Sequence, residues 1–391
     1  MAASPRRTTG TYLTTSAAGE SVRAFVPAPL PPQPPLQLGH EFLDLIEKAN
    51  RALGRLDSMA RLLPDTALFV YFYVRKEAVL SSQIEGTQST LTDLLLYESK
   101  QEPGVPLDDV EEVSTYVAAL NHGLKRIRNG FPLSLRLIRE IHEILLRSGR
   151  GKGKQPGEFR RSQNWIGGTR PGTAKFVPPP PDKLLECMNA FERFLHGEPE
   201  PTSTVIKAGL AHVQFETIHP FLDGNGRVGR LLITLLLCAE DALAEPILYL
   251  SLYLKRNRAE YYERLDCVRS EGDWEGWLRF FLSGVAQTAD EAAATATRIA
   301  ALFEKDAEKI ADLGRAAANA LKLFRLLQHR PFISIVDAAA KLKISFPTAS
   351  SAMANLEGLK IVREVTGASR GKLFVYDRYL KLLQEGTEPI G

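Results

Sequence analysis

Between His219 and Arg230 the chain reads HPFLDGNGRVGR, directly ahead of the apolar run LLITLLLC. Gly224 and Gly226 flank Asn225 and let the backbone come close to a ligand. The helix expected to start there offers unpaired N–H groups and the positive end of its dipole, which together make an anion site. Arg227 and Arg230 stand three residues apart in the first turns of that helix, so both guanidinium forks face one ligand and bind phosphate oxygens in pairs. One phosphate needs one arginine; two arginines point to a polyphosphate. Asp223 is a hard oxygen ligand placed where a Mg2+ bridging phosphates would sit, since magnesium takes one or two carboxylates with phosphate oxygens and water. His219 has an ordinary pKa near neutrality and suits a general base that accepts a proton from an incoming hydroxyl. Together these residues describe group transfer from a nucleotide. A zinc pair is the other chemistry they allow, but zinc needs three or four ligands and no further His or Cys cluster lies nearby in sequence.

The elements that must hold this site are mostly helices. From His40 onward apolar residues recur at helical spacing through EFLDLIEKANRALGRLDSMARLL and ALFVYFYVRKEAVLSSQIEGTQSTLTDLLLYE, and again near 111–128, 134–148, 182–196, 203–217, 228–243 and 258–285. One stretch departs from this pattern. NWIGGTRPGTAKFVPPPP (164–181) has two short β-prone pieces around a Gly-Thr-Arg-Pro-Gly turn, which predicts a hairpin on a helical body. Beyond about Asp290 an Ala-rich connector leads to a helix SIVDAAAKL, a turn at KIS, a second helix from Pro347 to Leu359 and two strands around TGASRGK, the order of a winged helix-turn-helix. Thr348, Ser350, Ser351 and Asn355 give the second helix a polar face that fits a groove. Basic charge there is limited to Lys341, Lys343, Lys360, Arg370 and Lys372, so DNA contact and a protein-interaction or dimerisation wing both stay open. Residues 1–36 are rich in Ala, Ser, Thr and Pro and close on PAPLPPQPPLQ, which predicts an extended arm lying across a surface.

Composition bounds these readings. The chain has 391 residues, 44% hydrophobic and 24% charged, which suits a folded protein of two or three domains and excludes wholesale disorder. A net charge of +3 is too slight to signal nucleic acid or membrane by itself. Cys187, Cys238 and Cys267 fit neither a disulfide framework nor CxxC spacing and read as reduced thiols, which points to the cytoplasm. No apolar segment follows Arg6 and Arg7, and no apolar run is long enough to span a bilayer, so neither export nor membrane insertion is expected.

The stretch from His219 to Arg230 matches HPFx[D/E]GNGRxxR at every defined position and so resembles the signature of Fic proteins. The likeness extends to PGEFRRSQNWIGG and AKFVPPPP, which resemble the family's flap, and to a helical body followed by a winged helix. It covers most of the chain from about residue 40. Fic proteins transfer AMP from ATP to a hydroxyl side chain of a target protein, and the resemblance implies the roles residue by residue. His219 would deprotonate a Ser, Thr or Tyr hydroxyl, and Asp223 would hold Mg2+. Gly224, Asn225 and Gly226 would cradle the α- and β-phosphates, and Arg227 and Arg230 the β- and γ-phosphates. The flap, Ile166 to Gly168 (with Gly167) and Phe176 to Val177, would register the target by strand addition. Tyr261 and Tyr262 are candidates for the adenine pocket.

A second match lies upstream. SSQIEG fits the family's inhibitory pattern [S/T]xxxE[G/N] with Ser81, Glu85 and Gly86. On a helix Ser81 and Glu85 are i,i+4 neighbours, and Glu85 would take Arg230 away from the γ-phosphate. The expected fold is therefore mostly α, a Fic helical core with a small β-hairpin flap and a C-terminal winged helix-turn-helix. Its divisions are an arm (1–36), a helical region with the inhibitory motif (37–110), the catalytic core (111–290) and the connector with the winged helix (291–391). ATP and Mg2+ are the expected substrate and cofactor; the expected partner is a target protein, with self-modification, a homodimer and DNA as further partners. Removal of AMP from a modified target and a nucleotide-sensing DNA-binding regulator are the alternative functions.

Overall fold

The computed structural model describes residues 7–62, 66–98, 104–366 and 371–389. Two strands, β1 (Gly10–Ala17) and β2 (Glu20–Pro27), precede the helices α1 (His40–Leu62), α2 (Thr66–Ile84), α3 (Leu91–Glu98), α4 (Leu107–Arg128) and α5 (Leu135–Leu145). Then follow α6 (Pro181–Leu195), α7 (Thr204–Ile218), α8 (Asn225–Ala239), α9 (Ser251–Arg256), α10 (Arg258–Glu271) and α11 (Trp274–Ala311). The C-terminal unit is α12 (Ala317–His329), β3 (Phe332–Ser334), α13 (Ile335–Leu342), α14 (Phe346–Gly358), β4 (Arg363–Glu364), β5 (Leu373–Val375) and α15 (Asp377–Gln384). Its three antiparallel strands lie in the order β3-β5-β4.

The antiparallel pair α7 and α8 forms the centre. Every residue of α7 from Val205 to Ile218 is buried, as expected of a helix without a clear polar face. In α8 Val228, Leu231, Leu232, Ile233, Leu235, Leu236 and Leu237 are buried, each worth roughly 1.5–3 kcal/mol of transfer from water. Helices α4 and α5 close one side of this pair, and α10 and α11 the other. The Trp277 indole on α11 is fully buried and donates to Gly209 O of α7 (2.9 Å). The three cysteines are free thiols. No helix among the described residues is long and apolar enough to cross a membrane.

Three expectations need correction. The segment expected as an extended arm folds between Gly10 and Pro27 into a full antiparallel hairpin, with Ala17 opposite Glu20. Ala18 and Gly19 both take positive φ (47° and 82°), as a two-residue turn between right-twisted strands requires. The alternation of Val22, Ala24 and their polar neighbours is the signal that the Ser/Thr/Ala-rich composition obscured. Second, the helical periodicity over 258–285 belongs to two helices. Gly272 caps α10 in the left-handed region (φ 76°), and the Asp273 carboxylate caps α11 by accepting from Gly276 N. Third, the expected connector helix is helical, but it continues the core helix α11 unbroken through Asp290 and is not a separate link. In the C-terminal unit, helix, turn, helix and strands follow in the expected order. Lys343 turns the chain at φ 53°, and Ser345 caps α14 through Thr348 N (3.3 Å). Arg370 and the rest of the expected wing tip, 367–370, lie outside the described residues.

Candidate active site

His219 ends α7 in the left-handed conformation (φ 50°, ψ 61°), its N–H bonded to Phe215 O (2.9 Å), and Pro220 prevents the helix from continuing. The loop then turns onto α8 through Gly224 (φ 76°). The first helical bond of α8 is Val228 N to Gly224 O (3.0 Å), so the N–H groups of Asn225, Gly226 and Arg227 stand ahead of the ladder. The Asn225 side chain is 2% exposed and faces inward. Its Oδ1 accepts from Phe221 N and its Nδ2 donates to Phe221 O, both at 2.9 Å. The Asn225 side chain is therefore committed to shaping the loop.

Two buried residues without a sequence signal hold the loop from behind. Arg160 is 2% exposed and donates Nε to His219 O (2.9 Å), while its Nη2 donates to Pro179 O (2.5 Å) and Ile218 O (3.4 Å). His142 stacks on Phe221 with ring centroids 3.6 Å apart. Its Nδ1 accepts from Gly157 N (2.9 Å), so the proton sits on Nε2, which donates to Asp223 O (3.0 Å). Burial lowers the His142 pKa to about 4 and keeps the ring neutral.

Burial, then Arg269 and Arg160, lower the His219 pKa to about 3, so at neutral pH the ring carries a free lone pair. Its Nδ1 is buried without a hydrogen bond. The Asp223 side chain is 41% exposed, with Oδ1 accepting from Gly224 N (2.6 Å) and lying 3.8 Å from Arg227 Nη2. A half-exposed carboxylate beside a phosphate cradle fits a Mg2+ that takes most of its ligands from phosphates and water. Among the described residues no group of three or more His, Cys, Asp or Glu forms a site built from protein ligands alone.

The segment Ser81–Gly86, expected to be inhibitory, meets the α8 N-terminus directly. Helix α2 ends at Ile84, and Glu85 and Gly86 turn away from it, Gly86 at φ 98°. Arg230 is 2% exposed and donates Nε to Ser81 Oγ (2.9 Å), and Nη2 to Ser81 O (3.0 Å) and Glu85 Oε1 (2.6 Å). Burial alone would raise the Glu85 pKa, but Arg230 outweighs it and holds the carboxyl below its ordinary value. A Cβ on Gly226 would lie 2.3 Å from Glu85 Oε1. The glycine thus lets the carboxylate rest against the α8 N-terminus.

The expected flap is less regular than a hairpin. Its strands reduce to one antiparallel bridge, Ile166 with Phe176 (N to O 2.8 Å and 3.1 Å), closed by a 3₁₀ turn at Pro171–Thr173. Gly167 and Gly168 have φ of 69° and 75°, and a Cβ on Gly168 would lie 2.4 Å from Thr173 O. Val177 O accepts from Phe25 N of β2 (2.8 Å), and Glu20 accepts from Gly172 N (2.9 Å). The N-terminal hairpin therefore backs the flap. Tyr261 is buried, its hydroxyl bonded to His212 Nε2 (2.8 Å), whereas Tyr262 is 43% exposed. Tyr261 thus packs behind the site, and of the two rings Tyr262 is the one open to solvent.

Residues 43–125 match the Fic/DOC family N-terminal model and residues 132–237 the Fic/DOC family model. The chain is 30% identical over 253 residues to a protein adenylyltransferase Fic of Drosophila melanogaster, covering 64% of this chain and 47% of that protein. It is 32% identical over 251 residues to that of Drosophila yakuba, covering 63% and 46%. The chain thus spans about half the length of the curated relatives it matches. Among solved structures, a Fic family protein from Desulfovibrio desulfuricans G20 superposes with a TM-score of 0.58 at 20% identity, covering 88% of this chain and 98% of that one. At that identity the likeness is one of fold. Residues 43–125 and 132–237 thus match the two domain models of the Fic/DOC family.

Proposed function

We propose that the chain transfers AMP from ATP to a Ser, Thr or Tyr hydroxyl of a target protein, and that Glu85 restrains the reaction. The observation that carries this reading is the α7–α8 junction. There a neutral histidine, a half-exposed aspartate, a helix N-terminus and two buried arginines converge. The names of the curated relatives support the same chemistry.

In this mechanism the target oxygen attacks the α-phosphorus and its proton passes to His219. The bond from that phosphorus to the oxygen bridging the β-phosphate breaks, and pyrophosphate leaves. The first N–H groups of α8 and Arg227 stabilise the charge that develops on the phosphates. Asp223 would hold Mg2+, which when bound neutralises phosphate charge. Full engagement of the γ-phosphate requires Arg230 to leave Glu85. Tyr262 stands where a base would stack, and the outer edge of the flap strand at Ile166–Gly168 is the one left for an extended target segment. Val177, on the other strand, already pairs with β2. The C-terminal unit, read as a winged helix, carries exposed Lys341, Lys343, Lys360 and Lys372 for a second contact with DNA or another copy of the chain.

The test is to incubate wild type, His219→Ala and Glu85→Gly with Mg2+ and each of the four nucleoside triphosphates, with and without cell extract, and follow adducts by mass. The expected result is a gain of one AMP, from ATP, on the chain or a target, larger in Glu85→Gly and absent in His219→Ala. The Glu85 side chain is 38% exposed, which favours the reverse reaction as a second reading, with the carboxylate orienting a water. Release of AMP from a modified target, with no adduct from any variant, would replace transfer by removal.

A further inference from the structure

Ser81 and Glu85 take up Arg230 but do not bond Arg227. The Arg227 guanidinium is 4% exposed and lies between two carboxylates. Its Nη1 is 3.4 Å from Glu112 Oε2 and its Nη2 3.8 Å from Asp223 Oδ1, while Nε is buried without a partner. Glu112 comes from α4, 115 residues away in sequence, and is itself 4% exposed. On its other side Arg150 donates Nε to Oε1 (2.9 Å) and Nη2 to Oε2 (3.3 Å).

The same carboxylate touches the inhibitory segment. Thr87, two residues after Glu85, donates Oγ1 to Glu112 Oε2 (3.4 Å). Gln88 N donates to Asp109 Oδ2 (2.8 Å), one turn earlier on α4. Burial would raise the Glu112 pKa, but its arginine partners outweigh it and keep the carboxyl ionised. By charge alone, an ionised carboxylate behind a phosphate cradle repels the ligand. Its presence there calls for a geometric reason. Glu112 fixes one end of the Arg227 fork and so sets where the guanidinium lies beside the α8 N-terminus.

We propose that Glu112 is the positioning residue of Arg227 for the phosphates of the nucleotide, and that Thr87 ties this ion pair to the segment carrying Glu85. One segment then governs both motif arginines, Arg230 by direct pairing and Arg227 through Glu112. The inference rests on the nucleotide reading above.

The experiment measures Mg2+-ATP binding calorimetrically in the Glu85→Gly background, where Arg230 is free. Glu112→Gln keeps the shape and removes the charge. Positioning predicts binding about fivefold to tenfold weaker, whereas electrostatics alone predicts tighter binding, so the sign decides. The loss should vanish in an Arg227→Ala background, because Glu112 acts through that arginine. Thr87→Val, which changes no charge and carries little risk of misfolding, should weaken binding about twofold. Equal or tighter binding in Glu112→Gln, or an undiminished loss without Arg227, overturns the proposal. If the Glu85→Gly chain binds no ATP at all, the nucleotide reading itself fails and takes this inference with it. That outcome is distinct from binding that ignores Glu112.

Discussion

The motif loop and the flap both border the cleft, and they are built in opposite ways. From His219 to Arg230 the backbone is pinned by buried side chains: Arg160 on the carbonyls of Ile218 and His219, Asn225 on Phe221, and His142 on Asp223. The flap depends on one bridge, two left-handed glycines and a brace from the N-terminal hairpin. In the motif loop, polar groups are satisfied from within. Along the flap, the named backbone pairing is the one bridge and the contact with β2.

Breaking the pinned region should cost most. Arg160→Met leaves at least three buried carbonyls without a donor, and we expect a loss of roughly 3–5 kcal/mol in chemical denaturation together with loss of adduct formation. Retention of wild-type stability would show that the loop does not need this brace.

Glu216 sharpens the comparison through pH. Burial raises its pKa to about 7 from an ordinary 4.5, so the folded chain keeps a proton that the unfolded chain has released. Its contribution to stability is therefore full below about pH 4.5 and is lost as pH rises through about 7. Glu216→Gln should accordingly gain on the order of 2–3 kcal/mol over wild type at pH 8 relative to the difference at pH 4. Equal pH profiles would mean that the carboxyl is ionised inside the fold.

The flap brace should show the smallest effect. Glu20→Gln removes a partly exposed pair with Arg170 (3.4 Å) and weakens the bond to Gly172 N, for a global change of about 0–1 kcal/mol. We expect the consequence in a raised KM for the target with unchanged ATP binding. A change in ATP binding would mean that flap and cradle are not independent.

What the sequence made legible was local. His219, Asp223 and the two arginines lie within twelve residues, so one short loop and the first turns of α8 bring them together. Ser81 and Glu85 were legible through their own spacing, and their meeting with Arg230 through resemblance. Arg160, His142 and Glu112 gave no signal because each reaches the motif from 59, 81 or 115 residues away by contacts that no periodicity encodes. The N-terminal hairpin was hidden for another reason. Its alternating strand and two-residue turn went unread because the Ala-, Ser-, Thr- and Pro-rich composition dominated. Tyr261 and Tyr262 are adjacent and differ because a helix turns about 100° per residue, which sends one ring to His212 and the other to solvent.

Helix α11 spans 38 residues, so it is about 57 Å long. Near its start Trp277 is keyed into α7, the helix that ends at His219; near its end the fully buried Asp306 accepts from Tyr376 and Arg378 of the C-terminal unit. A beam fixed at both ends does not bend like a tether. A load applied to the C-terminal unit would therefore reach the α7–α8 pair as a tilt of the whole beam, and a protease sampling the junction between the two would find a helix in place of a hinge.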